Sequence, residues 1–420
     1  MEEKNCRIAV IGGGLSGLVI AEGLQRAGYT EVTLFEKSTR LGGKLYSIWY
    51  EGRSYELGAI FGLPSYKNLR SLMDRLDIKV DGPKLTRTNY NIKGEKIMPL
   101  PREDLPDFIK ELERLPEVIN TYKTLKTPNI KNIEPLLMEP FSKWCDYHDF
   151  EILKTIYTHY FTIFGLGNIE EVPALYVLRI MSYEHLMCFM DIPQFYTWNR
   201  GVSVLAEKLS SRIKNIRLGQ EVTNISLGTD NNLWVETPFE KTEFNKVIIT
   251  APLDQFSHLD IWDEEMKYFL SNIKYQDFNV YAFIVDNVPK GCGCILENLS
   301  PSRNGHITIW DSRWGNVKGE GMVILYAYNP PASSKSALLD YIKEDLSQLG
   351  VKNPRLYQAK RWRHCPYVDT EILKQGFYNK VNSVQGKNNI YLSGEVVSGL
   401  SIENSIWYSN YLLKKFFNVK

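Results

Sequence analysis

Short, wholly apolar runs recur along the chain and predict strands that are buried on both faces. The first is IAVI at 8–11, the second lies in VTLFEK at 32–37, and a third lies in NKVIITAPLDQF at 245–256. Runs of this length without polar alternation are typical of parallel sheets covered by helices. The segment between the first two runs has apolar residues at helical spacing and is followed by Gly28, a usual residue after a helix. The pattern therefore predicts a β-α-β unit near the start of the sequence.

Apolar and polar positions divide the rest of the chain into blocks of different character. Residues 83–199 have helical spacing broken by prolines, which predicts a mostly helical block. Residues 256–374 alternate apolar runs such as VYAFIV and MVILYAY with a helical pattern near 334–348, which predicts a second sheet. GQEVTNISL at 219–227 has the pattern of an edge strand, and KRWRH at 360–364 that of a strand with one charged face.

Three glycines between the first strand and the first helix form a G-x-G-x-x-G motif. Gly12 allows a tight turn, Gly14 lets the backbone approach a pyrophosphate, and Gly17 lets the helix pack on the strand. Gly13 lies outside the motif and is expected to tolerate alanine better than Gly14 does. Glu36 ends the second strand, where a carboxylate accepts hydrogen bonds from ribose hydroxyls. In this context the motif predicts a dinucleotide at the positive N-terminal end of the helix.

Features beyond this first unit indicate that the dinucleotide is FAD. STRLGGK at 38–44 adds a glycine pair and basic residues, which suit further phosphate contacts by a long, extended cofactor. A second glycine-rich strand-to-helix junction, YLSGEVVSGLSIENSI, lies at 391–406, and the helix near Glu403 is expected to direct N–H groups at the flavin pyrimidine. The backbone of Val222 is expected to pair with adenine. FAD is expected to bind without a covalent bond, because Ser398 stands where an attachment residue would be expected.

Composition excludes several classes of partner and site. The 420-residue chain carries 50 basic and 49 acidic residues, so no nucleic-acid partner is expected. Six cysteines without a secretory segment before them predict a cytoplasmic protein that lacks disulfides. No run of about 18 apolar residues is present, so no membrane span is expected. The six histidines are scattered and are expected to be structural, and no spacing of cysteine and histidine predicts a metal site.

Four segments carry a resemblance to a known family. They are GRSYELGAIFGLPSYKNLRSLMDRLDIKVDGPKLTR at 52–87, VPALYVLR at 172–179, YTWNRG at 196–201 and GEVVS at 394–398. Together with the glycine motifs, they resemble the FAD-dependent amine oxidase superfamily and, within it, the polyenoic fatty acid isomerases. The resemblance extends over nearly the whole chain, and the first of the four segments is its most specific part.

The resemblance implies an α/β fold class. It consists of a Rossmann-type FAD-binding domain, a discontinuous substrate domain built on a mixed sheet, and a helical cap. The implied boundaries are 1–82, 200–255 and 375–420 for the FAD-binding domain, 83–199 for the cap, and 256–374 for the substrate-binding sheet.

The resemblance also implies an activity and a substrate. In the isomerases, the flavin takes a hydride from one carbon of a polyunsaturated chain and returns it to another carbon, so that turnover is redox-neutral. The implied substrate is a polyunsaturated fatty acid or a similar lipophilic carboxylate. Arg87 and Phe189 are implied to hold the carboxylate, and Tyr196 and Trp198 are expected in the apolar cavity wall. The residues expected to contact FAD, from their own pattern or from the resemblance, are Gly12, Gly14, Leu15, Ser16, Gly17, Glu36, Lys37, Arg40, Gly42, Gly43, Lys44, Gly58, Ala59, Ile60, Phe61, Val222, Ala251, Gly394, Glu395, Ile402 and Glu403.

Two other functions remain open from the sequence. The first is an FAD-dependent oxidase or desaturase of an amine or another small metabolite. Many amine oxidases have a lysine that ties a water to flavin N5, but the matching segment DFNVYAFIV at 277–285 has none. The second is a non-catalytic lipid-binding protein of the same fold.

Overall fold

The computed structural model describes residues 4–190, 194–289, 291–314, 319–329 and 335–419, so the remaining parts of the predicted domains lie outside the described residues. The strands are β1 (Ile8–Ile11), β2 (Val32–Glu36), β3 (Ser47–Tyr50), β4 (Arg53–Glu56), β5 (Arg87–Tyr90), β6 (Lys96–Ile97), β7 (Asn215–Leu218), β8 (Asn224–Leu227), β9 (Leu233–Glu236), β10 (Lys241–Phe244), β11 (Lys246–Ile249), β12 (Lys274–Asp286), β13 (Gly291–Ile295), β14 (Ile309–Ser312), β15 (Glu320–Tyr328), β16 (Lys352–Tyr367) and β17 (Ile390–Leu392). The α-helices are α1 (Leu15–Arg26), α2 (Lys67–Leu76), α3 (Leu105–Asn120), α4 (Phe141–Tyr147), α5 (Glu151–Thr162), α6 (Ala174–Ile180), α7 (Tyr183–Met190), α8 (Ser203–Ser210), α9 (Glu264–Ser271), α10 (Lys335–Gln348), α11 (Thr370–Lys374), α12 (Phe377–Val384), α13 (Glu395–Ser398) and α14 (Ile402–Phe417).

One sheet is wholly parallel and has the strand order β17-β11-β1-β2-β7. Its central strands are buried, and α1 packs between the sheet and the helices α8 and α14. The predicted β-α-β unit is confirmed, because β1, α1 and β2 follow one another and β1 pairs in parallel with β2. The carboxyl ends of β1, β2, β11 and β17 therefore meet at one edge, where open α/β sheets bind ligands.

A seven-stranded mixed sheet has the order β16-β12-β15-β14-β13-β5-β6. Its pairs are antiparallel except for β5 with β13. Alternate residues of β12 face opposite sides: Tyr281 and Phe283 pack towards α10, whereas Phe278 and Val280 pack towards the β3–β4 hairpin. Both faces of the central strands are therefore covered, and the predicted second sheet and its helix are confirmed.

Two segments differ from their predicted structure. Residues 83–199 contain the expected helices α3 to α7, but they begin with β5 and β6 at the edge of the mixed sheet. The polar run RTNY of β5 forms a strand because it pairs with β13, and the sequence pattern does not show that distant partner. The predicted edge strand at 219–227 is limited to Asn224–Leu227, so Val222 precedes it. The KRWRH segment lies within β16, as predicted.

A three-stranded antiparallel sheet, β10-β9-β8, completes the described strands. Among the described residues, no helix is both long enough and apolar enough to cross a membrane.

Candidate functional site

A cavity of about 750 Å³ lies between the parallel sheet and the mixed sheet. One side of its wall comes from residues at or just beyond the carboxyl ends of β1, β2, β11 and β17, and the other side from β12, β15 and β16. Eighteen of the residues predicted to contact FAD line this cavity: Gly12, Gly14, Leu15, Ser16, Glu36, Lys37, Gly42, Gly43, Lys44, Gly58, Ala59, Ile60, Phe61, Val222, Ala251, Gly394, Glu395 and Ile402.

The three motif glycines have different surroundings. Gly12 has φ of +110°, and a Cβ atom built on it would lie 2.8 Å from the Ala251 nitrogen. A Cβ atom on Gly17 would lie 1.9 Å from the Gly12 oxygen, so Gly17 lets α1 approach β1. In contrast, a Cβ atom on Gly14 would have no neighbour within 4 Å. Gly14 therefore leaves open space at the start of α1, where backbone N–H groups and the helix dipole favour a phosphate.

The carboxylate of Glu36 is fixed at the edge of the cavity. Its Oε2 accepts a hydrogen bond from the Gly13 nitrogen at 2.7 Å, and its Oε1 accepts one from the Ser38 nitrogen at 2.8 Å. A carboxylate oxygen has further lone pairs, so both oxygens can still accept hydrogen bonds from a diol. Lys37 lies beside it, and its Nζ donates to Gln255 at 3.2 Å.

Arg40 shapes the second glycine loop from behind the cavity wall. Its guanidinium donates to the carbonyls of Leu41 at 3.0 Å and Gly43 at 2.6 Å, and it lies 3.9 Å from the centre of the Tyr46 ring. Arg40 is not among the residues that line the cavity and supports this loop, and its predicted contact with the cofactor stays a prediction. Lys44, at the end of this loop, does line the cavity.

Residues 57–61 are held against the cavity by side chains from the mixed sheet. The Trp362 indole donates to the Leu57 carbonyl at 2.6 Å, and the Arg313 guanidinium donates to the Ile60 carbonyl at 3.0 Å. Gly58 has no room for a side chain, because a Cβ atom there would lie 1.9 Å from the Lys44 oxygen. The backbone of this segment therefore lies close to the cavity in a fixed position.

Several wall residues from the mixed sheet were missed by sequence reasoning. Phe278 and Val280 come from β12, Tyr326 from β15, and Trp362 and His364 from β16. The signal that identifies them is the two-residue period of long strands, because each pair lies on one face. This signal is ambiguous without the structure, since it does not show which face meets the cavity.

His364 is the cavity residue that most changes the sequence picture, in which all histidines are structural. Next to it, two residues of β16, Cys365 and Pro366, stand opposite one residue of β12, Tyr275, and Cys365 has φ of +44°. Such a bulge changes the direction of neighbouring side chains. The His364 ring stacks on Phe278 with 5.8 Å between ring centres. Burial, and then the charge of Lys44, hold the pKa of His364 well below its usual value, so the imidazole is neutral at pH 7.

The C-terminal junction presents Glu395 and the start of α14 to the cavity. Lys44 Nζ and Glu395 Oε2 form an ion pair at 2.5 Å. Glu403, however, does not line the cavity; its carboxylate accepts hydrogen bonds from the Asn68 and Leu69 nitrogens at 2.9 Å each. The Glu403 carboxylate caps the start of α2. The prediction concerns the N–H groups of the helix near Glu403 and stays a prediction; Ile402, at the start of this helix, lines the cavity.

The two residues predicted to hold a carboxylate lie in successive layers. Phe189 lines the cavity, with its ring 5.9 Å from that of Phe61 and 5.4 Å from that of Tyr160. Arg87 lies behind this aromatic layer, where its guanidinium donates to the Tyr160 hydroxyl at 2.6 Å and lies 4.4 Å from the ring centre.

Tyr196 and Trp198 lie in the core rather than in the described cavity wall. The backbone of Tyr196 pairs with Gly62 through two hydrogen bonds of 2.9 and 3.0 Å. The Trp198 indole donates to the Met73 sulfur at 3.3 Å. Tyr196 thus holds the backbone beside Phe61 and Trp198 packs in the core, and their predicted contact with a substrate stays a prediction.

The residues present suit a long dinucleotide. Gly14 leaves open space at the start of α1, and the fixed carboxylate of Glu36 lies nearby. The backbone of residues 57–61 borders the apolar end of the cavity. Among the described residues, no group of histidine, cysteine, aspartate and glutamate forms a metal site.

Comparisons with known proteins agree with this description. The family model for flavin containing amine oxidoreductases matches residues 15–406. The solved structure of the CLA-producing fatty acid isomerase from P. acnes has a TM-score of 0.93 and 28% sequence identity, covering 99% of this chain and 100% of that chain. The FAD-dependent oxidoreductase oblC of Cochliobolus heterostrophus is 25% identical over 431 residues, 92% of this chain and 86% of that protein. The polyenoic fatty acid isomerase of Ptilota filicina is 22% identical over 257 residues, and the match spans 54% of this chain and about half, 51%, of that protein.

Proposed function

Since the chain belongs to the flavin-containing amine oxidoreductase family and is an FAD-dependent enzyme, we propose that it moves a double bond in a polyunsaturated fatty acid or a similar lipophilic carboxylate. The observation that carries this proposal is the similarity to a fatty acid isomerase over 99% of the chain at 28% identity. The alternative of a non-catalytic lipid-binding protein is set aside by membership of this enzyme family.

In this proposal the chain holds FAD without a covalent bond. The start of α1 at Gly14 binds the pyrophosphate, Glu36 accepts hydrogen bonds from the ribose, and residues 57–61 border the flavin ring. FAD, when bound, supplies an N5 atom that accepts a hydride from one carbon and returns it to another. The short helix α13 ends with Ser398 in place of an attachment residue, so heat denaturation is expected to release intact FAD into the supernatant.

The wall of the cavity then serves the reaction by excluding water and unpaired charge. Phe61 packs edge to face on both Phe164 and Phe189, and the Phe164 and Phe189 rings are tilted by 56° to each other. In the same cavity wall, His364 is neutral and the charge of Lys44 is paired with Glu395. An apolar chain is therefore enclosed without exposure to solvent at the reacting carbons.

The absence of a lysine on the cavity side of β12 supports redox-neutral turnover over oxidase chemistry. Tyr275, Phe278 and Val280 are the β12 residues that line the cavity. Lys274, at the start of this strand, is exposed and pairs with Asp369 at 2.8 Å. The similarity to oblC keeps an oxidative reaction as the second candidate, and the substrate test separates the two.

We propose Arg87 as the group that binds the carboxylate, after Phe189 and Tyr160 shift to admit it. A guanidinium suits this role because it holds both carboxylate oxygens and stays charged when partly desolvated. Arg87→Leu is expected to weaken binding of the free acid by about 1.5–3 kcal/mol, roughly 10- to 150-fold. Binding of the methyl ester is expected to change little, and Lys84→Leu, at an exposed cation nearby, serves as the control.

The test of the reaction is an anaerobic incubation with linoleic acid and related polyunsaturated acids. We expect a conjugated diene to form without oxygen, and its ultraviolet absorbance measures its formation. A parallel aerobic incubation measures oxygen and peroxide. Turnover that requires stoichiometric oxygen and yields peroxide would move the protein to the oxidase candidate.

A further inference from the structure

A buried arginine lies next to the cofactor cavity with only backbone carbonyls as its hydrogen-bond partners in the described chain. Arg179 is 5% exposed and lies in α6. Its guanidinium donates to the carbonyls of Thr124 at 3.2 Å, Thr127 at 2.9 Å, Pro128 at 3.3 Å and Ser398 at 3.1 Å. One cation therefore joins the helical cap, through residues 124–128, to the C-terminal junction.

The charge of this arginine has no carboxylate to balance it in the part of the chain that the structure describes. Its Nε has no hydrogen-bond partner there, and the guanidinium lies 5.8 Å from the centre of the Trp407 ring. Burial lowers the pKa of Arg179 to about 10, so it stays protonated at neutral pH. A buried cation is costly to desolvate, and carbonyl dipoles compensate that cost without cancelling the charge.

Both segments that the contact between Arg179 and Ser398 joins continue into the cavity wall. Ile180 and Met181, which follow Arg179, line the cavity. In the C-terminal junction, Gly399 follows Ser398, and a Cβ atom built on Gly399 would lie 3.2 Å from Arg179 Nε. The next residues, 400–402, also line the cavity. The charge is therefore one backbone layer behind this end of the wall.

The start of α14 also donates a hydrogen bond to the backbone of Arg179. The Asn404 side-chain nitrogen donates to the Arg179 carbonyl at 3.1 Å, and the Asn404 backbone nitrogen donates to the N-cap oxygen of Ser401 at 2.9 Å. One hydrogen bond, from the Asn404 side chain to the Arg179 carbonyl, thus ties the end of α6 to the start of α14 without involving the charge. The positive end of the α14 dipole points to the same region as the guanidinium.

We propose that Arg179 is a positioning residue for the flavin end of the site and that its unpaired charge raises the reduction potential of the bound flavin. The inference rests on the proposed placement of FAD but not on the substrate. Reduced flavin carries more negative charge than oxidised flavin, and a nearby cation in a low-dielectric interior favours it. A more oxidising flavin suits the removal of a hydride from a carbon chain that has no amine beside it.

The experiment compares FAD-loaded parent with Arg179→Met, Arg179→Lys and Asn404→Ala. The flavin of each protein is reduced stepwise beside a reference dye, and the rate of FAD release is measured separately. We expect Arg179→Met to disfavour reduction at least about tenfold, which is a potential lower by about 30 mV for a two-electron couple. Asn404→Ala breaks the tie but keeps the charge, so we expect faster FAD release with the potential of the parent.

The lysine substitution keeps the test decisive even if the methionine variant loses its fold or its FAD. A buried ammonium loses its proton more readily than a guanidinium does. The potential of Arg179→Lys should therefore match the parent at low pH and fall below it as pH rises. An Arg179→Met protein with the parent's potential would overturn the inference, and so would an Arg179→Lys protein that still follows the parent at a pH at which its lysine has lost its proton. A parent that never binds FAD would instead overturn the proposed cofactor site.

Discussion

At the scale of single residues, Gly12 and Gly17 of the motif allow close packing of the backbone, whereas Gly14 leaves open space for a ligand. Substitutions are expected to affect stability at the first two and cofactor binding at Gly14. Gly14→Val is expected to keep the fold, because its side chain enters open space and the backbone at Gly14 is extended. The same atoms would occupy the space that a pyrophosphate needs, so retained flavin should fall at least about tenfold. Flavin absorbance per protein and the thermal unfolding midpoint measure the two effects.

Gly12→Ala is the matched comparison. Alanine at φ of +110° is strained, and its Cβ would lie 2.8 Å from backbone, so both flavin content and stability should fall. Gly14→Val with the flavin content of the parent would contradict the assignment. Gly13→Ala stays predicted to retain flavin better than a substitution at Gly14, although a Cβ atom on Gly13 would lie 2.5 Å from Leu41 Cδ2 and the end of that side chain would have to move.

The place of a residue in the site could be predicted from the sequence where neighbouring residues in the chain determine its position. Glu36 follows a strand within the β-α-β unit, so its placement at the cavity edge is a local matter. The direction of the Glu403 side chain is not, because it depends on α2 packing beside α14. Arg179 gave no signal at all: a lone arginine in an apolar helix does not show that its partners are carbonyls from two distant segments.

At the scale of elements, the same distinction explains which parts of the fold could be predicted. The strands β1, β2 and β11 could be predicted from their continuous apolar runs, because a parallel strand is buried on both faces. The strand β5 is polar and short, and it exists through its pairing with β13. The alternation of β16 predicts a strand with two unlike faces, but only the register with β12 shows that Trp362 and His364 face the cavity.

Glu403 offers a test at this scale, since it joins two helices. Its carboxylate accepts from the backbone nitrogens of Asn68 and Leu69 and from the Asn68 side chain, which satisfies free N–H groups in the first turn of α2. Glu403→Ala should lower the free energy of unfolding by about 1–3 kcal/mol, measured by urea denaturation. The fraction of FAD retained by the folded variant should not change. Loss of flavin at unchanged stability would return Glu403 to the cofactor site.

At the scale of the whole molecule, one buried charged group joins the FAD-binding part to the mixed sheet. Arg313 donates to Asp311 in its own sheet, to Glu56 at 3.1 Å at the end of β4, and to the Ile60 carbonyl at the cavity. The Glu56 carboxylate also accepts hydrogen bonds from the Val202 nitrogen at 2.9 Å and the Ser47 hydroxyl at 2.6 Å. The backbone beside the predicted flavin ring therefore depends on a group with two acids and one base.

The charge of this group determines how stability varies with pH. One guanidinium balances one carboxylate, so a second ionised carboxylate in the dry interior is unfavourable. Burial, only partly opposed by Arg313, raises the pKa of Glu56 to about 7 from a usual value of 4.5. The folded state thus binds a proton that the unfolded state has released above pH of about 4.5. This contribution to stability is complete below about pH 4.5 and is lost as pH rises through about 7.

Glu56→Gln is expected to remove this dependence while it keeps the shape of the side chain. The glutamine oxygen still accepts from Val202 and Arg313, and its NH₂ group donates to Ser47 in place of the shared proton. Relative to the parent, the variant should gain unfolding free energy as pH rises from about 4.5 to about 7, with a slope of up to about 1.4 kcal/mol per pH unit. Urea denaturation at several pH values measures this difference directly. A difference that stays constant over the whole range would mean that Glu56 is already ionised in the folded protein, and that Arg313 carries two carboxylates across the junction of the two sheets.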